Sequence, residues 1–146
     1  MSKLLIFLII FLPIVFLGGC GGTKTIVVEI VTEKEANNGN AVVVTIYQLI
    51  NADKFRYASF ESLIKNPVET LGADIVPNSK YERTMVPGEN FMVEAHEIKN
   101  DALFLGIVAD FHSPAKDGWK QVIPLESGFS DLKISIHESS LSVAFD

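Results

Sequence analysis

Apolar and polar positions divide the chain into a leader and a β-rich body. Residues 4–17 read LLIFLIIFLPIVFL, an uncharged run directly after the basic Lys3. The run is shorter than the ~20 residues a bilayer-spanning helix needs. A basic start, a short apolar stretch and the small Gly18 and Gly19 instead predict a secretory leader over 1–19. Beyond it, 24–32 (KTIVVEIVT) is dense in β-branched residues and predicts a strand. The polar stretch 33–40 (EKEANNGN) predicts an exposed loop, and 41–50 (AVVVTIYQLI) a second strand buried on both faces.

The period then changes. Phe60, Leu63 and Ile64 fall at i, i+3 and i+4, with Phe55 one turn earlier, Asp53 as a cap and Asn66-Pro67 as a stop. Asn66, Pro67 and Glu69 fit a second helix start, and Gly72 its end. Two short helices, 54–65 and 67–71, are expected. Helices this short do not persist alone, so their apolar faces must lie on a sheet. Phe55, Tyr57 and Phe60 are the expected contact, with a hydrophobic ligand groove as the alternative use of the same aromatics. From residue 80 the pattern is β again: 80–86, 91–98, 103–111, 119–125, 132–137 and 141–145. Pro87-Gly88, Lys99-Asn100-Asp101, the stretch 113–118 and Ser139-Ser140 supply the turns. Leu132, Ile134 and Ile136 alternate with Lys133, Ser135 and His137, the mark of a half-buried strand. About eight strands with one helical insertion at about 54–71 predict a mainly β fold over 24–146: two antiparallel sheets packed as a sandwich.

Length and charge narrow the function. The 146 residues make one domain, and 12 Lys+Arg against 18 Asp+Glu argue against a nucleic-acid partner. The single cysteine excludes an internal disulfide framework. That cysteine, Cys20, directly follows Leu17-Gly18-Gly19, a spacing that resembles a bacterial lipobox. There the thiol receives a diacylglyceryl group, and cleavage frees an amine that is usually acylated too. The alternative is an ordinary leader with an incidental cysteine. On the lipobox reading 20–23 is a lipidated tether. Gly21, where an Asp would retain an enteric-type lipoprotein in the inner membrane, points to the outer membrane. With Lys3 gone, 11 Lys+Arg face 18 Asp+Glu, so attachment must come from acyl chains at ~0.8 kcal/mol per buried methylene.

Candidate chemistry is sparse. The chain has no Gly-rich phosphate loop, no Gly-x-Ser-x-Gly and no His-Glu-x-x-His. Asp110 and His112 lie two apart on a predicted strand, but two ligands are too few for structural zinc, and edge polarity is the plainer reading. His96 is expected to share a face with Glu94, His137 to be solvated, and Trp119 to plug the core. No catalytic residue, metal or cofactor is assigned. A non-enzymatic role is expected, with a small-molecule or glycan-binding lipoprotein as the alternative; that would need a deep apolar pocket.

Several segments also follow a familiar order. Asn38-Gly39-Asn40-Ala41-Val42 leads into Val43-Val44-Thr45-Ile46-Tyr47-Gln48-Leu49, followed by Phe55, Ala58, Ser59, Phe60 and Leu63. Next come Thr70-Leu71-Gly72-Ala73-Asp74, Val86-Pro87-Gly88 and Leu105-Gly106-Ile107-Val108-Ala109-Asp110-Phe111. Trp119 then precedes Val122-Ile123-Pro124-Leu125. In order and spacing these resemble the TssJ (SciN) family of type VI secretion outer-membrane lipoproteins. The resemblance implies a transthyretin-like β-sandwich, a periplasm-facing outer-membrane anchor, and a non-enzymatic job. The implied partner is the periplasmic C-terminal domain of the inner-membrane TssM (IcmF-like) subunit. It also implies that the loop between the first two strands makes the contact, here Glu35, Ala36, Asn37, Asn38, Gly39 and Asn40. A merely solvated hairpin loop is the alternative. Deleting residues 37–40 is expected to weaken partner binding without lowering thermal stability.

Overall fold

The computed structural model describes residues 22–146; the leader, Cys20 and Gly21 lie outside the described residues. Strands β1 (Lys24–Thr32) and β2 (Val42–Leu49) precede three short helices, α1 (Asp53–Tyr57), α2 (Phe60–Lys65) and α3 (Pro67–Leu71). Six strands follow: β3 (Tyr81–Met85), β4 (Asn90–Ile98), β5 (Phe104–Asp110), β6 (Lys120–Pro124), β7 (Asp131–Ile136) and β8 (Leu141–Phe145). They form two four-stranded sheets, ordered β4-β1-β7-β8 and β3-β2-β5-β6. The expected sandwich is there. One pair departs from the antiparallel rule: β1 and β7 run parallel, with Val28 beside Leu132 and Ile30 beside Ile134. Pro87-Gly88 forms the expected turn, with Gly88 at φ 81 and the Glu89 N–H donating to the Val86 carbonyl at 3.0 Å. It makes no hairpin, because it carries the chain from β3 in one sheet to β4 in the other.

Alternation along each strand builds the core. Ile26, Val28 and Ile30 of β1, Val44 and Ile46 of β2, and Leu105 and Ile107 of β5 are all buried between the sheets. Gln48 belongs to the same face of β2 and ties the sheets together. Its Nε2 donates to the Glu97 carbonyl at 2.7 Å, and its Oε1 accepts from the Lys99 N–H at 2.7 Å. A buried side-chain amide satisfied on both ends costs little, whereas an unpaired one costs about 1–3 kcal/mol.

The helices cover the outer face of the β2–β5 sheet, which explains the burial of β2 on both faces. Phe55 lies edge-on to Tyr47 at 6.2 Å and sits over Gly106. A Cβ at residue 106 would come within 2.8 Å of the Phe55 ring and 2.9 Å of Leu49, so glycine is what lets α1 lie this close. Phe60 meets Trp119 edge-on at 5.1 Å. Tyr57 is the exception: it is 89% exposed and makes no sheet contact. The single helix expected over 54–65 breaks at Ala58 (ψ 142), and Ser59 caps a new start by accepting from the Ser62 N–H at 3.2 Å. With α1 only five residues long, Tyr57 falls on the side away from Phe55. The open end of α1 is closed by Lys120, whose Nζ donates to the carbonyls of Phe55, Arg56 and Ala58 at 2.7–2.8 Å.

A bulge reassigns one histidine. Between Ile26 and Val28 the register with β4 slips, so His96 opposes Ile26 and Val93 opposes Val28. Glu94 and His96 therefore part company: Glu94 is exposed and His96 is buried, edge-on to Tyr81 at 5.6 Å. The His96 Nε2 is buried without a hydrogen-bond partner, and burial lowers its pKa below the ordinary 6.5. The fold thus favours the neutral ring, while the unfolded chain still takes up a proton below about pH 6.5. Stability supplied by this site is intact above that pH and falls as pH drops toward the lower folded value. Urea midpoints at pH 7 and pH 5 are expected to differ more for the natural protein than for His96→Phe. Equal pH dependence in the two would show that acid sensitivity arises elsewhere.

Candidate functional site

Thr23, just before β1, and the loop 33–40 mark opposite ends of the sandwich, because β1 alone joins them. Its nine residues, at ~3.3 Å each, span about 30 Å. At the loop end the chain is stitched down from several sides. The Glu33 N–H donates to the Ile136 carbonyl at 3.0 Å, and the Gly88 N–H to the Thr32 carbonyl at 3.0 Å. Glu33 Oε1 lies 2.7 Å from His137 Nδ1, whose other nitrogen is 2.9 Å from Ser142 Oγ. His137 is therefore a bonded part of this end, not merely a solvated side chain.

Within the loop the backbone does something unusual. Asn37 (φ 50), Asn38 (φ 53) and Gly39 (φ 78) take left-handed conformations in succession. L-residues adopt that region at a cost of roughly 1–2 kcal/mol each, asparagine most readily after glycine. Asn37 is the residue that holds the arrangement. It is 3% exposed, its N–H donates to the Glu138 carbonyl at 3.0 Å, and its Nδ2 donates to the Ala41 carbonyl at 2.7 Å. Its Oδ1 accepts from the His112 N–H at 2.7 Å, and its carbonyl accepts from the Asn40 N–H at 3.0 Å.

The six loop residues singled out by the sequence therefore separate into two groups. Glu35, Asn38, Gly39 and Asn40 are exposed and form a rigid polar ledge. Ala36 and Asn37 are buried beneath it and present no surface to a partner. The expectation that residues 37–40 can be removed without loss of stability does not survive this. A deletion would strand the His112 N–H and the Ala41 carbonyl that Asn37 now satisfies. Local sequence did not reveal these buttresses, since they come from after β5 and after β7. The signal that was available is the run Asn37-Asn38-Gly39, residue types that tolerate positive φ.

Asp110 and His112 line a polar cleft beside Asn37, Asn40 and Ala41. Among the described residues no group of three His, Cys, Asp or Glu could hold a metal ion. The three histidines sit on separate elements, His96 in β4, His112 after β5 and His137 after β7. An apolar groove of about 400 Å³ opens at the tether end, beside Lys24, Ile98 and Leu103.

Comparison with known proteins agrees with this architecture. Residues 24–139 match a family described as type VI secretion lipoprotein (VasD, EvfM, TssJ). No curated protein matches the chain. The fold is similar to the crystal structure of the T6SS lipoprotein TssJ1 from Pseudomonas aeruginosa: TM-score 0.76, 20% identity, covering 86% of this chain and 98% of that one. It is similar to a chain in a structure described as a type VI membrane complex: TM-score 0.74, 24% identity, covering 84% and 99%. It also matches a chain in a structure described as the T6SS protein TssM C-terminal domain (869-1107) from EAEC: TM-score 0.70, 23% identity, covering 83% and 98%.

Proposed function

This chain belongs to the type VI secretion lipoprotein family, and we propose that it is the outer-membrane fixed point of a type VI secretion complex. On this reading acyl chains on Cys20 hold it in the outer membrane, facing the periplasm. The ledge of Glu35, Asn38, Gly39 and Asn40 grips the periplasmic C-terminal domain of the inner-membrane TssM (IcmF-like) subunit. The role is mechanical attachment, not catalysis. The observation that carries the reading is the placement of a preorganised polar ledge about 30 Å from the tether, at the far end of β1. A ledge fixed before binding loses little entropy on contact. The presence of a chain of this fold in a structure described by the TssM C-terminal domain adds support.

The test is a binding measurement between the purified chain and that periplasmic domain. Glu35→Lys combined with Asn38→Asp alters two exposed side chains while keeping an αL-tolerant residue type at 38. Affinity is expected to fall at least about tenfold, or ~1.4 kcal/mol, with stability unchanged to within ~0.5 kcal/mol. Undiminished affinity would move the contact off this loop.

A further inference from the structure

We infer that the tether end of the sandwich, around Leu103, rests on the phospholipid surface instead of hanging free in the periplasm. The inference depends on lipidation of Cys20 as proposed above. It begins with reach. From Cys20 to Lys24 the chain has four peptide steps, which extended cover at most about 14 Å. Each headgroup layer of a bilayer is itself roughly 5–8 Å thick. Lys24 is the first residue of β1 and pairs with Ile98, so the anchor holds this end of both strands within a short distance of the lipid.

What this end presents fits that position. Leu103 is 56% exposed and Ile50 is 42% exposed. Leu103 is fixed on both sides, its N–H donating to the Leu49 carbonyl and its carbonyl accepting from the Leu125 N–H, each at 2.9 Å. It cannot fold away into the core without breaking those bonds. Beside it runs a mainly apolar groove, lined by Ile98, Ala102, Phe104, Pro124 and Leu125, with Asn100 and Glu126 also on its wall. Isolated exposed apolar side chains need no explanation, but one set against an apolar groove makes a contact surface. Lys24 and Lys99 stand at its rim. Their aliphatic stems can cover apolar surface while their ammonium groups reach phosphate oxygens. The attraction is apolar first, since the Lys99 Nζ is already paired with Glu97 at 2.7 Å.

The full chain in vesicles of phosphatidylethanolamine and phosphatidylglycerol provides the test. An environment-sensitive fluorophore is attached at Leu103→Cys, and in a second preparation at Glu35→Cys on the opposite end, where the backbone is unstrained (φ -92). Ile50→Cys repeats the measurement in case a label at 103 disturbs the fold. Probes at 103 and 50 are expected to emit to the blue and to be quenched several-fold less by aqueous iodide than the probe at 35. Equal iodide quenching at both ends would overturn the docked orientation. The mass of the same purified protein separates the two failures. Acylated Cys20 with a water-exposed residue 103 removes only this inference, whereas Cys20 without acyl groups removes the lipid anchor and this inference with it.

Discussion

Cys20→Ser is expected to release the protein from the membrane fraction and to abolish type VI secretion, while leaving the folded body as stable as before. The serine hydroxyl cannot take the place of the thiol that carries the diacylglyceryl group. Each buried methylene of an acyl chain contributes ~0.8 kcal/mol, and two or three chains are needed to hold firmly, so their loss leaves no intermediate state of attachment. Among the described residues the first element, β1, opens at Lys24, beyond the substituted position. The urea midpoint should therefore not move. Fractionation with metabolic palmitate labelling, a secretion assay and urea denaturation check the three parts. Label retained by the serine variant would refute the lipobox assignment, and secretion surviving with the protein free in the periplasm would refute the need for an anchor.

The topology gives this anchor a mechanical logic. The strand that begins beside the tether is the strand that ends in the loop 33–40. β1 is also an inner strand of its sheet, with β4 on one side and β7 on the other. On the proposed attachment, tension between a partner at the ledge and lipid at the tether would run along the covalent backbone of one strand. The ladders to β4 and β7 would brace that strand from both sides. Inner placement of β1 thus suits a fixed point better than an edge strand would.

Much of this architecture is legible in the residues, and the exceptions share a cause. β1 and β8 occupy the stretches 24–32 and 141–145 that β-branched density and alternation mark out. Gly72 ends α3 at φ 53 as its position requires. Tyr57 and His96 were misjudged because one residue shifts a whole face, at the Ala58 break in the first case and at the β4 bulge in the second. The parallel pairing of β1 with β7 is decided by which strands meet across the fold, and local pattern carries no trace of that. The loop shows the same limit. Its polar composition reads as solvated, yet Ala36 and Asn37 are buried by segments about 75 to 100 residues further along the chain. Residue type shows that a positive φ is tolerable; only the fold shows that it is used.

Asn37→Ala makes the largest expected change in the body itself. The substitution removes the acceptor for the His112 N–H and the donor to the Ala41 carbonyl, both at 2.7 Å. Both bonds are part-buried, reaching from the buried Asn37 to the exposed His112 and Ala41, so their loss costs about 1 kcal/mol. Alanine must also hold φ 50, at roughly 1–2 kcal/mol more. Together about 2–3 kcal/mol is expected, a large part of the 5–15 kcal/mol by which a domain is stable. Asn37→Gly separates the two contributions. It loses the same two hydrogen bonds but adopts the left-handed backbone freely, so it should be about 1 kcal/mol less destabilising than alanine. Urea denaturation of the three proteins measures this order; equal losses in the alanine and glycine variants would show that backbone strain has no part. Binding to the TssM periplasmic domain, measured where all three remain folded, should follow a different order. Glycine frees the ledge without unfolding the body, so both variants should lose affinity at least about tenfold although their stabilities differ. Affinity that tracked stability instead would mean that residue 37 acts through the global fold and not through the shape of the ledge.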